Sequence, residues 1–550
     1  MACNKQTIRQ AHSSTTSSVT AITPGRVTIN NLPNEVIVSI IRHVPAYAKS
    51  DFPVVPHCQH SLLQLALCSR SLHALVEPIL YEYFHHNDKS PVCAVQLFLR
   101  MILVRPDLAQ QVKGIRTMAS DSEYDDGRLD VSCFKVEDWA RIRNKIEEVD
   151  GSTQERDEWV KDIEKGHWEA MAALILTLTP NLRILKFKEW PYDDSPYPNL
   201  MRTLSRARQL QVERQAENQF ALWNLNKVMQ NHYDTEGGLS IDQLAPLLAI
   251  PSVKTFWGKM ICDEGAADMD EWPLSNIDLT HIEELSLFYI SMDHDTIIRF
   301  LRCFPRLKKL YYRHGDAGYE DFEPPRLMAA LSHLKPHLQD LTIINDNKVA
   351  RSGIDHYPIG SLSSFKPLRR LQADWEILTG GDNRDAMTDG FSSRQDIIDA
   401  LPAGLEELRV SDGKYIKIAP CYIFNLLEHK HRFPALKMLN LEWECYRHLD
   451  KPGPDDPHIH PGFTKEQSLE VLSRCNEAGV EMMMTTLPPL PRYISYPAKD
   501  EEGTTKKDQR GWDSTITIRL EYPYKDYEKI CKEHGCDPET GRPYHAFFRS

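Results

Sequence analysis

The side chains best suited to metal chemistry lie near the C-terminal end, in the sequence CKEHGC. Cys531, His534 and Cys536, followed by His545, offer thiolates and imidazoles, which are the donors that Zn²⁺ prefers. The spacing of the two cysteines is wide for a zinc site, and a single cluster of this kind is more typical of a plain loop. We therefore predict no metal site and no cofactor, while the sequence leaves zinc binding at this cluster open.

Catalytic motifs are missing from the chain. The sequence contains no Gly-x-Ser-x-Gly elbow, no Walker loop, no Gly-x-Gly-x-x-Gly and no His-Glu-x-x-His. Carboxylate pairs such as Asp193-Asp194 are typical of solvated loops. We expect a non-catalytic protein without catalytic residues, and an enzyme of unknown type is the less favoured alternative.

Charge and hydropathy restrict the partners and the compartment. The 550 residues carry a formal net charge of −13, which does not suit a nucleic-acid-binding protein. No run of about 18 apolar residues predicts a membrane span. The 12 cysteines are scattered from Cys3 to Cys536, as in reduced proteins of the cytoplasm or nucleus. We expect a protein partner, with no nucleic acid and no membrane.

Residues 1–27 are rich in Ser and Thr and contain no acidic residue. They lack the apolar core of a secretory signal. Their composition suits a mitochondrial presequence, but the amphipathic Arg-rich helix of such a segment is missing. We predict a disordered polar tail.

The segment LPNEVIVSIIRHV (residues 32–44) has the composition of a strand and the spacing of a helix. Its β-branched residues lose side-chain freedom in a helix. They nevertheless recur at i, i+1, i+4 and i+5, which places them on one helical face, whereas a strand would alternate. Pro33 suits the first turn, and Glu35 suits the positive end of the helix dipole. We predict a short helix that ends at Pro45.

A second helical segment, residues 61–84, completes a pattern that resembles the F-box in its divergent, fungal-type form. The resemblance rests on Leu-Pro-x-Glu at the first helix, Leu-Ala-Leu-Cys-Ser-Arg at residues 65–70 and Glu-Pro-x-Leu-Tyr at residues 77–81. The connection between the first two helices is longer than in that family, and Leu72 stands near the usual Trp. The spacing predicts two or three small helices, with Pro78 opening a further short one.

The resemblance implies a partner and a set of contacts. F-box proteins bind the Skp adaptor subunit, which links them to a cullin-RING ubiquitin ligase, and they hold a substrate without catalysing its modification. The resemblance nominates these residues for adaptor binding, some of them necessarily facing the helical core: Leu32, Pro33, Ile37, Ile40, Ile41, Leu63, Leu67, Leu75, Leu80 and Tyr81. The alternative is that all of them simply hold a small helical domain together.

A repeat of the form Leu-x-x-Leu-x-apolar runs through the middle of the chain. Its units begin at Leu182, Ile282, Leu307, Leu338, Leu368, Leu405 and Leu436. From Ile282 on, successive starts lie 25, 31, 30, 37 and 31 residues apart, and Val253 and the weaker Val112 extend the series upstream. Helical segments separate the units. One strand and one helix per unit resemble the leucine-rich repeat.

We therefore predict an α/β fold in which an F-box-like helical domain, residues 28–84, precedes an irregular leucine-rich-repeat solenoid, residues 85–485. Stacked units would place parallel strands on the concave side and helices on the convex side, because neither element is buried until a neighbour covers it. An acidic insert at about 119–166 and a long helix at 199–232 interrupt the rhythm, and residues 486–550 form a cap and linker. The alternative is an ordinary α/β domain.

Side chains that flank the inward-pointing positions of the strands would face the concave surface and bind a protein substrate. The main candidates are Phe288, Lys309, Tyr311, Arg313, Arg370 and Arg409, within a wider set that includes Lys186, Glu284, Ser286, Asp374, Glu407 and Glu442. Phe288 beside Tyr311 and Arg313 is the best candidate hot spot, because aromatic and Arg side chains dominate interface energetics. The predicted function is substrate recognition in an SCF-type (Skp, cullin, F-box) ubiquitin ligase. The alternative is a repeat scaffold with no ubiquitin link.

Overall fold

The computed structural model describes residues 32–43, 56–86, 94–118, 129–149, 151–188, 198–215, 220, 222–232, 238–262, 272–290, 292–315, 322–345, 358–380, 396–411, 420–444, 465–487, 492–497 and 515–520. The chain divides into two compact units, Met1–His85 and His86–Ser550. Within the described ranges no helix is long and apolar enough to cross a bilayer. The predicted N-terminal tail and the CKEHGC cluster lie outside the described residues.

The first unit contains three helices and a short strand. They are α1 (Asn34–His43), α2 (Pro56–Cys68), α3 (Arg70–Leu80) and β1 (Tyr83–His85). The helix predicted at residues 32–44 is confirmed as α1, whose first turn forms when the Pro33 carbonyl accepts hydrogen bonds from the Val36 and Ile37 amides. Burial of Ile37 and Ile41 on one face outweighs the weak helix propensity of the β-branched residues.

Ser69 caps the start of α3, and its hydroxyl accepts a hydrogen bond from the Leu72 amide at 3.1 Å. The helix runs through Pro78, so the prediction that Pro78 opens a further helix is wrong. Pro78 lies in the last turn, where the lost amide costs one backbone hydrogen bond. The helical unit has its own core, made of Ile37, Ile41, Leu62, Ala66, Val76 and Ile79.

The second unit is built on a parallel sheet. In its described part eleven strands pair in chain order. They are β2 (Gly114–Met118), β3 (Ile184–Lys188), β4 (Lys227–Asn231), β5 (Thr255–Lys259), β6 (Glu284–Ile290), β7 (Lys309–His314), β8 (Asp340–Asn345), β9 (Arg370–Asp374), β10 (Glu407–Ser411), β11 (Met438–Glu444) and β12 (Glu481–Leu487). Every predicted repeat unit coincides with one of these strands, which confirms the α/β solenoid.

Helices alternate with these strands. They are α4 (Ala94–Val104), α5 (Pro106–Ala109), α6 (Val136–Glu148), α7 (Thr153–Glu164), α8 (Trp168–Leu178), α9 (Pro198–Val212), α10 (Ile241–Leu248), α11 (His294–Arg302), α12 (Pro324–Ala330), α13 (Trp375–Thr379), α14 (Ile397–Ala400), α15 (Pro420–Glu428) and α16 (Lys465–Glu477). Short 3-10 turns cover Leu331–Leu334 and Lys430–Arg432. Beyond the sheet, β13 (Arg492–Pro497) and β14 (Thr515–Leu520) pair as an antiparallel hairpin.

The prediction of a long helix at residues 199–232 is wrong for the second half of that range. α9 accounts for the first part, and β4 follows with Leu225 and Val228 buried at the usual repeat positions. Gln230 holds the second inward position of β4, where most other strands place an apolar residue. That polar residue hid the repeat from the sequence pattern.

The segment described from sequence as an acidic insert, about 119–166, contains α6 and α7. These helices bury Ile142, Ile146, Trp159 and Ile163. The two helices therefore belong to the core of the unit, and most of their charged residues lie on the outer faces. Asp138 of α6 is the exception, since it is buried and its carboxylate pairs with Arg100.

Register is set by backbone hydrogen bonds that precede each strand. The Glu283 carbonyl accepts the amides of both Lys308 and Lys309, at 2.8 and 3.0 Å, and the Lys254 carbonyl accepts those of Glu283 and Glu284 in the same way. This pair of bonds recurs between most neighbouring repeats. Neighbouring strands are thereby held in register, so inward residues form buried columns and outward residues form columns on the opposite face.

Candidate functional site

The outward side chains of β2–β7 form a basic surface. Among the described side chains at these positions, Glu284 is the single carboxylate against six cations. The cations are Arg116, Lys186, Lys227, Lys259, Lys309 and Arg313. Six positive charges and one negative charge give this basic surface a formal charge of +5, opposite in sign to the −13 of the chain.

An aromatic cluster of Trp257, Phe288, Tyr289 and Tyr311 lies within the basic surface. The ring centroids of Trp257 and Phe288 are 4.9 Å apart, and Phe288 stacks on Tyr311 at 4.4 Å with an interplanar angle of 23°. Trp257 and Tyr311 flank Ser286 in one column of the sheet. Because Ser286 is small, the Phe288 ring has room to contact both neighbours.

Three cations lie against these rings. The Lys186 Nζ is 5.2 Å from the centroid of Trp257. The Tyr289 ring has the Lys259 Nζ at 5.4 Å and the Arg313 guanidinium carbon at 5.1 Å. These distances are within the range of attractive cation–π contacts. The arrangement holds positive charge beside an apolar platform.

Tyr289 occupies a β-bulge. The pairing of β6 with β7 shifts between Phe288 and Ile290, and Tyr289 has a φ of +54°. Met260, just after β5, also has a positive φ, +58°. Such conformations are unfavourable for residues with a side chain and cluster at functional sites. The bulge lets two consecutive residues, Phe288 and Tyr289, contribute rings to the cluster.

The structure brings together three of the six main candidates for substrate binding, Phe288, Tyr311 and Arg313. Sequence analysis missed Trp257 of the aromatic cluster and Lys259, which lies against the Tyr289 ring, although both are outward positions of the repeat that begins at Val253. Tyr289 could not have been found from spacing, because the bulge breaks the alternation of the strand.

The other three candidates lie in ion pairs. Lys309 pairs with Glu284, the Arg370 Nε lies 2.8 Å from an Asp340 oxygen, and the Arg409 Nε lies 2.6 Å from a Glu407 oxygen. Their carboxylate partners stand beside them on the same strand or the next one. These cations therefore stabilise the sheet face more than they present charge to a ligand.

Beyond β8 the face carries a polar network. Glu442 is buried and accepts hydrogen bonds from the Gln372 amide at 3.1 Å and the Asn440 amide at 3.0 Å, while an Arg409 nitrogen lies 3.8 Å away. Burial raises the pKa of the Glu442 carboxyl. A network satisfied within the sheet holds neighbouring strands together.

The ten residues nominated for adaptor binding differ widely in the exposed fraction of their side chains. Ile37 and Ile41, only 6% and 2% exposed, belong to the core of the helical unit, so their assignment to a contact surface is corrected. Ile40 and Leu63 are 48% exposed and Leu67 is 70% exposed. Pro33 is also exposed, and the half-buried members are Leu32, Leu75, Leu80 and Tyr81. Val36, exposed on α1, was not nominated.

Among the residues that the structure describes, no three His, Cys, Asp or Glu side chains converge as metal ligands would. A family model described as leucine-rich repeat domain matches residues 89–418. The match spans β2–β10 and so contains the basic surface and the aromatic cluster. No curated protein matches the chain at a significant level.

Proposed function

Because the chain belongs to the leucine-rich repeat domain family, we propose that it binds a protein substrate on the exposed face of its sheet and presents that substrate to an SCF-type ubiquitin ligase. Domains of this family are typically non-catalytic and bind proteins on an extended strand-lined surface. The observation that carries the proposal is the aromatic cluster with its three cations. Aromatic and Arg side chains are enriched at the energetic centres of protein interfaces.

The adaptor side of the proposal is supported by the first unit. Its three helices pack around their own core, yet they leave Ile40 and Leu67 exposed at positions that match the F-box pattern. Large apolar side chains on the outside of a small helical domain favour a partner that buries them. A Skp adaptor subunit is the partner that the sequence resemblance implies.

Co-purification tests this function. Full-length protein is co-expressed with the Skp adaptor and cullin and isolated through its own tag. The wild type should retain both subunits. The double variant Ile40→Asp/Leu67→Asp should lose them, because each carboxylate would be buried in an apolar contact.

Val136→Asp is the matched control, since Val136 is an exposed apolar residue of α6, outside the first unit. It should retain the adaptor. A folded wild type that does not hold the adaptor, or a deletion of residues 30–84 that still holds it, would refute the ubiquitin link.

A repeat scaffold without a ubiquitin link is the second candidate. The family match favours it, because the match begins at residue 89 and leaves the helices of the first unit unmatched. If the protein is such a scaffold, the double variant Ile40→Asp/Leu67→Asp should bind every partner that the wild type binds. Affinity purification of the two proteins, followed by mass spectrometry, separates the two functions.

A further inference from the structure

We infer that the outer edge of β12 binds an extended, basic segment of a protein partner, which adds a strand to the end of the parallel sheet. Apolar side chains of that segment cover the exposed leucines of α16, and its Lys or Arg side chains meet carboxylates beside β12. This site lies at the end of the sheet and not on the face proposed to hold the substrate. It therefore goes beyond the proposed function and does not depend on the ubiquitin link.

The parallel sheet ends at β12, which pairs with β11 on one side. Within the described residues no strand pairs with its other side. The Glu481 amide donates to the Lys437 carbonyl, just before β11, at 2.7 Å, so Glu481 and every second residue after it bond to β11. The residues between them, Met482, Met484 and Thr486, therefore present their amides and carbonyls at the outer edge.

This edge lacks the features that protect edge strands. Natural proteins usually block an exposed edge with Lys, Pro or a bulge. β12 contains neither Lys nor Pro, and its register with β11 runs without a shift from Glu481 to Leu487. At about 3.3 Å per residue the edge is about 23 Å long, which matches a partner segment of about seven residues. The outward amides and carbonyls supply the main-chain hydrogen bonds of β-strand addition.

Apolar side chains are exposed in the same repeat. Leu469 and Leu472 on α16 are 58% and 37% exposed, and Met483 on β12 is 43% exposed. The Arg474 guanidinium carbon lies 4.5 Å from the ring centroid of Phe424 on α15, and Leu472, two residues earlier, lies about 200° around the helix axis. Leu472 therefore faces away from the preceding repeat. A terminal repeat normally has a polar outer face, so exposed leucines here favour a partner that covers them.

Charge determines which partner fits. Residues 465–487 contain four Glu against one Lys and one Arg, a formal charge of −2. Arg474 already pairs with Glu470 at 2.8 Å. Glu477 and Glu481 are exposed, and neither has a cation partner in the part of the chain that the structure describes. A second copy of this chain would bring the same carboxylates together across a symmetric interface, whereas a basic segment neutralises them.

Peptide selection tests the chemistry of the ligand. Short random peptides displayed on phage are selected against the full-length protein, and enriched peptides are synthesised and measured by fluorescence polarisation. We expect β-branched or aromatic residues that alternate with Lys or Arg, because alternate side chains of an added strand point to opposite faces of the sheet. The affinity of these peptides should fall as ionic strength rises from about 0.01 M to about 0.15 M.

Hydrogen exchange resolved to single amides locates the site. The amides of Met482, Met484 and Thr486 should exchange freely in the protein alone and about tenfold more slowly, or slower still, when peptide is saturating. The amides of β6, inside the sheet, should not change. The variant Ile40→Asp/Leu67→Asp should bind the peptides as the wild type does, so loss of the adaptor and loss of the peptide are separate results.

Met482→Pro tests the main-chain contact. It removes an edge amide, whereas the matched control Met482→Ala removes the same side chain and keeps that amide. Met482→Pro should bind the peptides about tenfold more weakly than Met482→Ala. Circular dichroism and unfolding midpoints verify that each variant is folded. Hydrogen exchange of the wild type gives the answer even if Met482→Pro does not fold.

Glu477→Gln/Glu481→Gln tests the charge. This double variant should bind the peptides about threefold more weakly and show a smaller dependence on salt, because two exposed carboxylates are lost. Glu137→Gln/Glu147→Gln, at exposed positions of α6, removes the same charge elsewhere and should bind as the wild type does.

Several results would overturn the inference. These are enrichment of acidic or uncharged peptides, peptides that leave the β12 amides unprotected, and equal binding by Met482→Pro and Met482→Ala. Edge amides that are already protected in the protein alone would assign the edge to another occupant. Protection that rises with protein concentration would indicate a second copy, and protection independent of concentration would indicate this chain's own sequence.

Discussion

Gly315 is the residue on which the position of Tyr289 depends. A Cβ atom on Gly315 would lie 2.8 Å from the Tyr289 Cα and 3.0 Å from its Cδ1. The Tyr289 backbone has little freedom to move away, because it already has a φ of +54° in the bulge. Glycine at 315 therefore allows the close approach that brings the Tyr289 ring between Lys259 and Arg313.

Gly315→Ala should lower the free energy of unfolding by about 1–3 kcal/mol, the usual cost of an added methyl group in a packed site. Urea unfolding measures the effect. Gly151→Ala is the control, since its Cβ would meet a flexible Glu155 oxygen at the ordinary distance of 3.4 Å. Equal stability of the two variants would show that Tyr289 is not held by Gly315.

His281 lies in the turn before β6, half-buried. Its Nε2 donates a hydrogen bond to the Leu248 carbonyl at 3.0 Å. Burial lowers the pKa of His281 from its ordinary value of 6.5, so the fold favours the neutral ring. The unfolded chain binds the proton more readily, and stability is lost as the pH falls through 6.5 towards the lower pKa of the folded state.

The pH dependence of unfolding should therefore become shallower in His281→Gln, which keeps a hydrogen-bond donor without a titrating ring. Urea unfolding of the wild type and the variant at a pH above 6.5 and one below it gives the comparison. His337→Gln, at an exposed position, is the control and should follow the wild type. A His281→Gln profile parallel to that of the wild type would contradict the assignment.

Among the strands, the first residues of neighbouring members form a column of alternating charge across the sheet. Five successive strands, β6–β10, place Glu284, Lys309, Asp340, Arg370 and Glu407 in one column. In-register parallel strands put equivalent residues side by side, so like charges in this column would repel. Alternation turns that stacking into attraction between neighbouring strands.

Arg370→Glu would set three carboxylates in a row, whereas Arg370→Met only removes the cation. We expect Arg370→Glu to be less stable than Arg370→Met by about 1 kcal/mol or less at low salt, because the positions are half-exposed. The difference should disappear in about 1 M salt, where charges are screened over about 3 Å. Chemical unfolding at both salt concentrations is the measurement. A difference that persists in high salt would indicate a packing effect.

The helix α1 has two apolar faces. Ile37 and Ile41 point into the core of the helical unit, while Val36 and Ile40 are exposed. This distribution explains the scarcity of polar residues in the segment. The inner face determines whether the helix forms, and the outer face is available to a partner.

Ile41→Ala should destabilise the first unit by about 2–5 kcal/mol, whereas Ile40→Ala should change it by less than about 0.5 kcal/mol. Hydrogen exchange of the amides in α1, followed by mass spectrometry, reports on this unit separately from the sheet. Faster exchange is expected in Ile41→Ala alone. The opposite order would place Ile40 in the core.

At the scale of the whole molecule, the second unit is a stack in which each strand pairs with its neighbours in the chain. Stability in such a stack is close to a sum of repeat and interface contributions, and inner repeats have an interface on both sides. The fully buried column of inward residues, such as Leu285, Leu310 and Leu341, forms these interfaces.

Leu341→Ala should therefore lower the free energy of unfolding by about 2–5 kcal/mol, while Ser286→Ala, on the outward side of β6, should cost less than about 0.5 kcal/mol. In the wild type, hydrogen exchange should be slower in β6–β9 than in β12, the last strand of the sheet. Uniform protection across the sheet would mean that the unit unfolds as a single cooperative block.

The repeat spacing was enough to predict where most strands lie and that they are parallel. The Leu-x-x-Leu-x-apolar pattern is local, and each unit buries the same positions, so spacing alone located nine of the eleven strands of the second unit. It failed at β4, where Gln230 replaces an apolar residue, and at β12, which had no recognised unit. The helix α1 was also predictable from sequence, because its buried residues recur at the helical period.

Which side chains meet depends on how the repeats pack in three dimensions. Lys259 and Phe288 are neighbours because β5 and β6 pair in register, although 28 residues separate them in the chain. The ring of Tyr289 joins the cluster through a bulge, and the partners of Lys309 and Arg370 come from adjacent strands. Periodicity depends on residues close in sequence, whereas a binding surface depends on distances between repeats, which register and packing set.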